Sequence, residues 1–461
     1  MSFFVGFSAI AQNNLNDYMV MAAKQNPDVN VAFNQYLAAL EKVPQVGSLP
    51  DPQASAGFFL QPMELIGGNQ VANIQVMQMF PWFGTLKASK SEAALMAKAS
   101  YEKFNSAKST VFYQVKSNWY QLQKTDEEIE LIKENIELLE SLEKLVLVKF
   151  QSPVSESSAP AMPSTKNSMN KSSSGMSGSM GGNKNQTSVA PIATRSSSAN
   201  MSSGMSSSKS GLQDVLRVKM EILEQQNRLA ELVDQRETQE VSFNALLNRD
   251  LTIPIEITAK LELEMLPMDK AVITDSILSN NSMLAMLQNE SESYTAMQEK
   301  AKKMGLPMLG LGLNYMVIQP RAGNTAMMNG NDMIMPMVSV SIPIYRKKYT
   351  AMQNEAKYMK EAINQQTISL RNDLRVQYQQ IMQQMDNAAR KVILYKEQEN
   401  LARKTTELLL SDFSTSGANY EEVLRMQLKV LDYGFNYIEA VVENNIAVAN
   451  IEMLLNYQKT H

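Results

Sequence analysis

One short pattern occurs twice in this chain, and each time a very long helical run follows it. The first copy is an alternating run, Val71–Met79, that ends in Phe80-Pro81-Trp82-Phe83-Gly84. The second is Met333–Ser341, ending in Ile342-Pro343-Ile344-Tyr345-Arg346. Proline lacks an amide hydrogen and fixes φ, so it suits a strand exit or a helix entry. The two prolines lie 262 residues apart (343 − 81). From Thr85 to Phe150, and again from Lys347 to Asp412, the chain has neither glycine nor proline. Each run, if wholly helical, is about 100 Å long at the usual rise.

The surrounding order repeats as well. Helical periodicity over Asn14–Lys42, interrupted at Pro27, precedes the breaker Leu49-Pro50-Asp51-Pro52. Strands are expected at about 53–62 and 70–80, around Gly67-Gly68. After the long run, another helix covers Leu212 to about Asn248. A connector follows at 251–266, where Ile253, Ile255 and Ile257 alternate. The second half then runs helix (Asp269–Lys303), strands at about 307–318 and 332–342, long helix and last helix (Tyr420–Leu455). Pro307 stands 255 residues after Pro52 (307 − 52). Ser210-Gly211 leads to Asp214-Val215-Leu216-Arg217, and Ser416-Gly417 leads to Glu422-Val423-Leu424-Arg425. Matching order, length and motif make an internal repeat, 12–250 and 267–461.

The long helices carry two apolar stripes. Leu131, Leu138 and Leu145 recur every seven residues, as do Leu394, Leu401 and Leu408. Ile129, Ile132, Ile136 and Leu139 form a second stripe. Two stripes suit a helix packed between two neighbours in a coiled-coil-like layer.

The strands have a phase. Ile74, Val76 and Phe80 share one face, and Asn73, Gln75, Met77 and Met79 share the other. Ile334, Val338, Val340 and Ile342 oppose Met333, Met335, Met337, Ser339 and Ser341. Leu309, Leu311, Leu313, Tyr315 and Val317 oppose Gly310, Gly312, Asn314 and Met316. One apolar and one polar face, on strands of this length, is the transmembrane β-barrel pattern. Four strands cannot close a barrel alone, so several copies must share one. A soluble two-layer sheet on a coiled-coil scaffold is the competing reading.

The duplicated helix–hairpin–long helix–helix arrangement resembles the TolC-like outer-membrane efflux proteins over about residues 14–458, apart from 152–210. Leu49-Pro50-Asp51-Pro52, Phe80-Pro81-Trp82-Phe83-Gly84, Tyr120-Gln121-Leu122 and the two Gly…Val-Leu-Arg turns carry the resemblance. The Pro-Asp-Pro and Phe-Pro-Trp motifs look most like the heavy-metal branch, similar to CusC and CzcC. The resemblance implies a mainly α fold with transmembrane β. It implies a homotrimer whose shared twelve-stranded barrel sits in Gram-negative outer-membrane lipid above a long periplasmic α-helical barrel. It also implies docking onto a periplasmic adaptor and an inner-membrane RND-type pump, export of cations such as Cu, Ag or divalent metals, and no cofactor. Drug or peptide export is the alternative within the same fold. Many CusC-like members carry a lipidated cysteine; this chain has no cysteine, so a lipoprotein is not expected.

By position, the family's acidic periplasmic gate falls on Glu422 and Asp214, with Glu421 and Arg425 beside them. Arg425 stands where some members have a second acid. Rings of carboxylates would attract cations by a focused field. Acids in a helix's first turn also simply suit the macrodipole. The adaptor-docking tip would fall on Gly211, Val215, Leu216, Arg217, Gly417, Val423 and Leu424. Met77, Met79, Met333, Met335 and Met337 would line the pore.

The segment Ser152–Ser210 has 21 serines and no leucine, phenylalanine, tyrosine or tryptophan. It cannot bury a core and is expected to be disordered. Met162, Met169, Met176, Met180, Met201 and Met205 punctuate it. Thioethers are soft ligands suited to Cu(I). Residues 1–11, an apolar stretch with Ala9-x-Ala11, resemble the end of a signal peptide without its basic start.

Other chemistry is narrow. The only histidine is His461, so Ser-His-Asp triads and histidine zinc sites are excluded. Net charge is −4, and no basic aromatic surface or phosphate loop points to nucleic acid. No residue set supports catalysis. No run of about 18 apolar residues exists for a transmembrane helix.

Overall fold

The computed structural model describes residues 15–151, 210–266, 268–323, 327–416 and 420–456. The expected signal remnant 1–11, Gly417 and the six methionines between 162 and 205 lie outside these residues. The chain divides into a larger unit, Met1–Asn135 with Gln225–His461, and a smaller one, Ile136–Glu224.

Helices α1 (Leu15–Gln25) and α2 (Pro27–Gly47) are separated by Asn26. Proline at the first position of α2 lacks only a hydrogen that no helical carbonyl would accept. Strands β1 (Gln53–Leu65) and β2 (Gly68–Phe80) lead into α3 (Thr85–Gln151). After α4 (Ser210–Leu246) come α5 (Lys270–Asn280) and α6 (Ser282–Met304). Then follow β3 (Met308–Gln319), β4 (Met333–Ser341), α7 (Arg346–Ser416) and α8 (Tyr420–Leu455). The order α-α-β-β-α-α thus occurs twice.

The duplication reaches single side chains. Asn26 accepts from the amides of Asp28 and Val29 and donates to the Leu246 carbonyl at 2.9 Å. Asn281 follows Asn26 at the same interval that separates Pro307 from Pro52. It accepts from Met283 and Leu284 and donates to the Leu454 carbonyl at 3.1 Å. Each asparagine therefore caps one helix and ties it to the end of its repeat's last helix. Tyr18, Ala22 and Val29 are buried in one core cluster. Ile273, Ile277 and Leu284, displaced by that same interval, occupy the same places in the other. On the long helices the interval is wider, pairing Trp119 with Met382 and Leu122 with Met385. On the last helices it is much narrower, pairing Phe243 with Ile451 and Leu247 with Leu455. The first half therefore holds extra chain between its long and last helices, where residues 152–209 fall. Asn248 and Asn456, spaced like the last-helix pairs, both adopt positive φ just past those helices. Asparagine tolerates that left-handed conformation better than most residues.

The connector alternates in sequence but joins no sheet. Its backbone is held by side chains instead. Asn244 donates to the carbonyls of Leu251 and Ile253, Gln123 to Ala259, and Asn445 to Glu262. Arg236, ion-paired with Asp126 and Glu240, donates to the Ile255 carbonyl, and Glu240 accepts the Ile255 amide. The Asp126 hydrogen bond, then the two carboxylate charges, hold the guanidinium above its ordinary pKa. Ile255 is the anchor, 1% exposed.

The apolar stripes of the long helices differ in fate. Ile129, Ile132, Ile136 and Leu139 are buried within the chain. The heptad leucines stay open: Leu138 and Leu145 are 40% and 37% exposed, and Leu394, Leu401 and Leu408 are 50%, 61% and 69%, so among the described residues no second neighbour covers them.

Candidate functional site

The four strands form one antiparallel sheet in the order β1-β2-β3-β4. Register decides which side chains share a face. Ile74 pairs with Tyr315, Val76 with Leu313 and Phe80 with Leu309. Tyr315 in turn pairs with Ile334, Leu311 with Val338 and Leu309 with Val340. Ala54 and Ala56 extend the row through Val76 and Ile74. These residues form one apolar face, and it is open: Leu311 is 54% exposed and Val338 74%. β1 and β4 are the sheet's edges. Pro62 and Pro336 lie on these two edge strands, where a missing amide is tolerated.

The opposite face collects the methionines. Met77 pairs with Gly312 and Met79 with Gly310. Gly312 pairs with Met337, Asn314 with Met335, Met316 with Met333, and Met308 with Ser341. Alternation alone places Met316 on the polar face and says nothing of Met308; the register adds both to it. Both join the five expected thioethers. The Ser339 hydroxyl lies 3.5 Å from the Met77 sulfur and 4.0 Å from that of Met79. Gly310 makes this crowding possible, because a Cβ there would collide with Ser339 Oγ and stand 2.7 Å from Met79 Sδ. Asn314 is buried, and its Oδ1 accepts no hydrogen bond among the described residues.

At one end of the sheet the loops are cross-tied. Gly330 donates to the Gly67 carbonyl at 2.8 Å, Arg321 pairs with Glu64 at 3.1 Å, and Asp332 accepts from the Ile318 amide and the Tyr315 hydroxyl. At the other end stand Pro81, Trp82 and Phe83, with Gly84 at φ +84° turning the chain into α3.

The expected gate residues open α8. Glu421, Glu422 and Arg425 are exposed, while Tyr420 and Val423 are buried, 1% and 0% exposed. Tyr420 packs on Phe413, ring centroids 5.6 Å apart. Arg425 reaches Glu422 at 3.5 Å, one turn away. Exposed pairs of this kind contribute about 0–1 kcal/mol. Within the chain Val423 faces inward, and Leu424 is half-exposed. In the smaller unit Asp214 and Val215 are half-buried, and Leu216 and Arg217 are exposed. Gly211 is not a turn residue, since α4 already begins at Ser210. Val218 and Ile222 of α4 are buried, as are Leu139, Leu142 and Val146 of α3. Among the described residues, no helix is long and apolar enough to cross a membrane, and no group of histidine, cysteine and acidic side chains could hold a metal ion.

No protein-family model and no curated relative matches the sequence. Solved structures do match in fold. The open-state MtrE outer membrane channel of Neisseria gonorrhoeae superposes with a TM-score of 0.68 at 13% identity, covering 96% of this chain and 89% of that one. The outer membrane protein VceC of Vibrio cholerae gives 0.66 at 11% identity, covering 95% of each chain. CusC, described in relation to transmembrane channel formation, gives 0.67 at 10% identity over 98% and 96%. The chain therefore has the fold of the TolC-like outer-membrane channels along nearly all of its length.

Proposed function

We propose that this chain is the outer-membrane exit duct of a tripartite efflux system. The observation that carries the reading is the sheet: four strands whose apolar residues align across the register on one exposed face, with two open edges. Lipid tolerates no open edge. Three copies, each giving four strands, close one twelve-stranded barrel with the apolar face outward. The exposed leucine stripe of α7 supports the same assembly, because neighbouring copies would cover it in a helical barrel. The start of α8 then forms the periplasmic constriction, with Glu422 presented to passing cations. Asp214 contributes a companion ring. Val215, Leu216, Arg217 and Leu424 meet the periplasmic adaptor, which connects to an inner-membrane RND-type pump.

The cargo we infer is a soft metal cation such as Cu(I) or Ag(I). Seven thioethers share the face that would line the lumen, and thioethers suit soft cations. Outer-membrane fractionation and heat-modifiable trimer migration test the duct. Deletion followed by exposure to Cu, Ag, Zn, Co and a drug panel tests the cargo. Sensitivity to drugs alone would refute the metal assignment and leave the duct; a soluble periplasmic monomer would refute both.

A further inference from the structure

The end of the sheet next to the helices carries a groove of about 430 Å³ on the apolar face. Phe80, Trp82, Phe83, Leu309, Leu311 and Val338 line it. Gly84 forms part of its rim, and beside that glycine the surroundings change from apolar to cationic. The Lys303 ammonium lies 3.5 Å from the Gly84 carbonyl, and a Cβ on Gly84 would come within 2.8 Å of it. Lys303 also pairs with Glu299 at 2.6 Å. Hydrogen bonding and charge from Lys303, then the charges of Lys87 and Lys302, hold Glu299 below the usual carboxylate range. The charges of three lysines thus act on this one carboxylate. The charge balance there is positive.

The next strand-to-helix junction adds to the excess. Gly305, just after α6, approaches Tyr349 in the first turn of α7; a Cβ there would be 3.5 Å from that side chain. Arg346, Lys347 and Lys348 open α7, all exposed, with no acid in its first turn. Cations at a helix N-terminus oppose the macrodipole. The end of α6 explains Lys302 and Lys303 by the dipole, but the start of α7 has no such explanation. An apolar groove thus opens beside a positive rim.

We propose that this groove binds an anionic phospholipid, one acyl chain against Trp82, Leu309 and Leu311 and the headgroup phosphate among Lys87, Lys302 and Lys303. The proposal rests on the membrane reading above, which places this rim at the periplasmic boundary of the bilayer. Charge complementarity selects the occupant: a zwitterionic lipid fills the groove equally well but leaves the cationic excess uncompensated. Basic residues near a membrane surface attract anionic lipid, and the attraction falls off within a Debye length.

The chain holds two tryptophans, Trp82 beside the groove and Trp119 in the helical core. Full-length protein is placed in vesicles containing phosphatidylglycerol or phosphatidylcholine with brominated acyl chains, and tryptophan quenching is read. Trp82→Phe identifies the reporting ring. Brominated phosphatidylglycerol should quench Trp82 with about five-fold higher apparent affinity than brominated phosphatidylcholine. The preference should disappear in the triple variant Lys87→Gln/Lys302→Gln/Lys303→Gln, and in the unaltered protein at about 0.5 M salt. Equal quenching by the two lipids at low salt would overturn the site while leaving the duct. A preference that survives both high salt and the triple variant would also overturn it. No quenching of Trp82 by either lipid would remove the ring from the bilayer and overturn the membrane reading as well.

Discussion

An arginine placed at Leu313 tests the sheet assignment most directly. Leu313 lies on the apolar face, paired with Val76 on one side and Pro336 on the other. It is five residues from the start of β3 and six from its end (313 − 308; 319 − 313). At about 3.4 Å per residue that is roughly 17–20 Å of strand each way. A tilt near 45° reduces this to roughly 12–14 Å from either rim, the centre of an apolar band about 25 Å tall. Leu313→Arg should therefore destabilise the folded chain in lipid by about 2–4 kcal/mol. Leu309→Arg, one residue from the strand's start, should cost about 0–1 kcal/mol. Met335→Arg, on the methionine face, should be accommodated in a wet lumen. Denaturant titration in lipid vesicles gives the three values, and outer-membrane yield gives the ranking in cells. Gly312→Ser is a poor lumenal control, because its Cβ would meet the Val76 carbonyl oxygen at 3.1 Å. Equal costs for Leu313→Arg and Met335→Arg would refute the phase. A cost at Leu309 as large as at Leu313 would refute the depth.

Asn26→Ala and Asn281→Ala should each destabilise by about 1–3 kcal/mol, since each removes a helix cap and leaves the Leu246 or Leu454 carbonyl without its donor; thermal unfolding of the two variants should give similar losses. Glu422→Gln should lower cation selectivity and weaken block by multivalent cations in planar bilayers, with a smaller effect for Glu421→Gln and an intermediate one for Asp214→Asn; unchanged conductance properties would leave Glu422 only a role at the start of its helix. Replacing residues 152–209 by a short Gly-Ser turn should leave trimer yield unchanged, because closure entropy varies slowly with loop length. The excised segment should bind Cu(I) until its six methionines are changed to leucine, as read by a copper-dependent spectral shift. Gly434→Val should lower thermal stability, as a Cβ there already meets Leu131 at 2.6 Å.

Periodicity alone determined the large elements. A stretch without glycine or proline has no local reason to stop being helical, so both long helices were legible nearly to their ends. Strict alternation likewise set which residues share a strand face, because a pleated strand admits only two. What the sequence left open depended on partners distant along the chain. Met308 and Met316 join the other methionines only through the β2–β3 and β3–β4 registers, and no local pattern sets a register. The echo of Asn26 in Asn281 was present in the letters. Its meaning required the Leu246 and Leu454 carbonyls, which lie far along the chain from the asparagines they accept from. The alternation of Ile253, Ile255 and Ile257 marked a connector but not what holds it: side chains of α3, α4 and α8, not a neighbouring strand, satisfy its backbone. Val423 shows the same limit. The resemblance put it at a docking tip; the three-residue spacing to Tyr420 puts both on one side of α8, and only the packing of Tyr420 against Phe413 shows that this side faces into the chain.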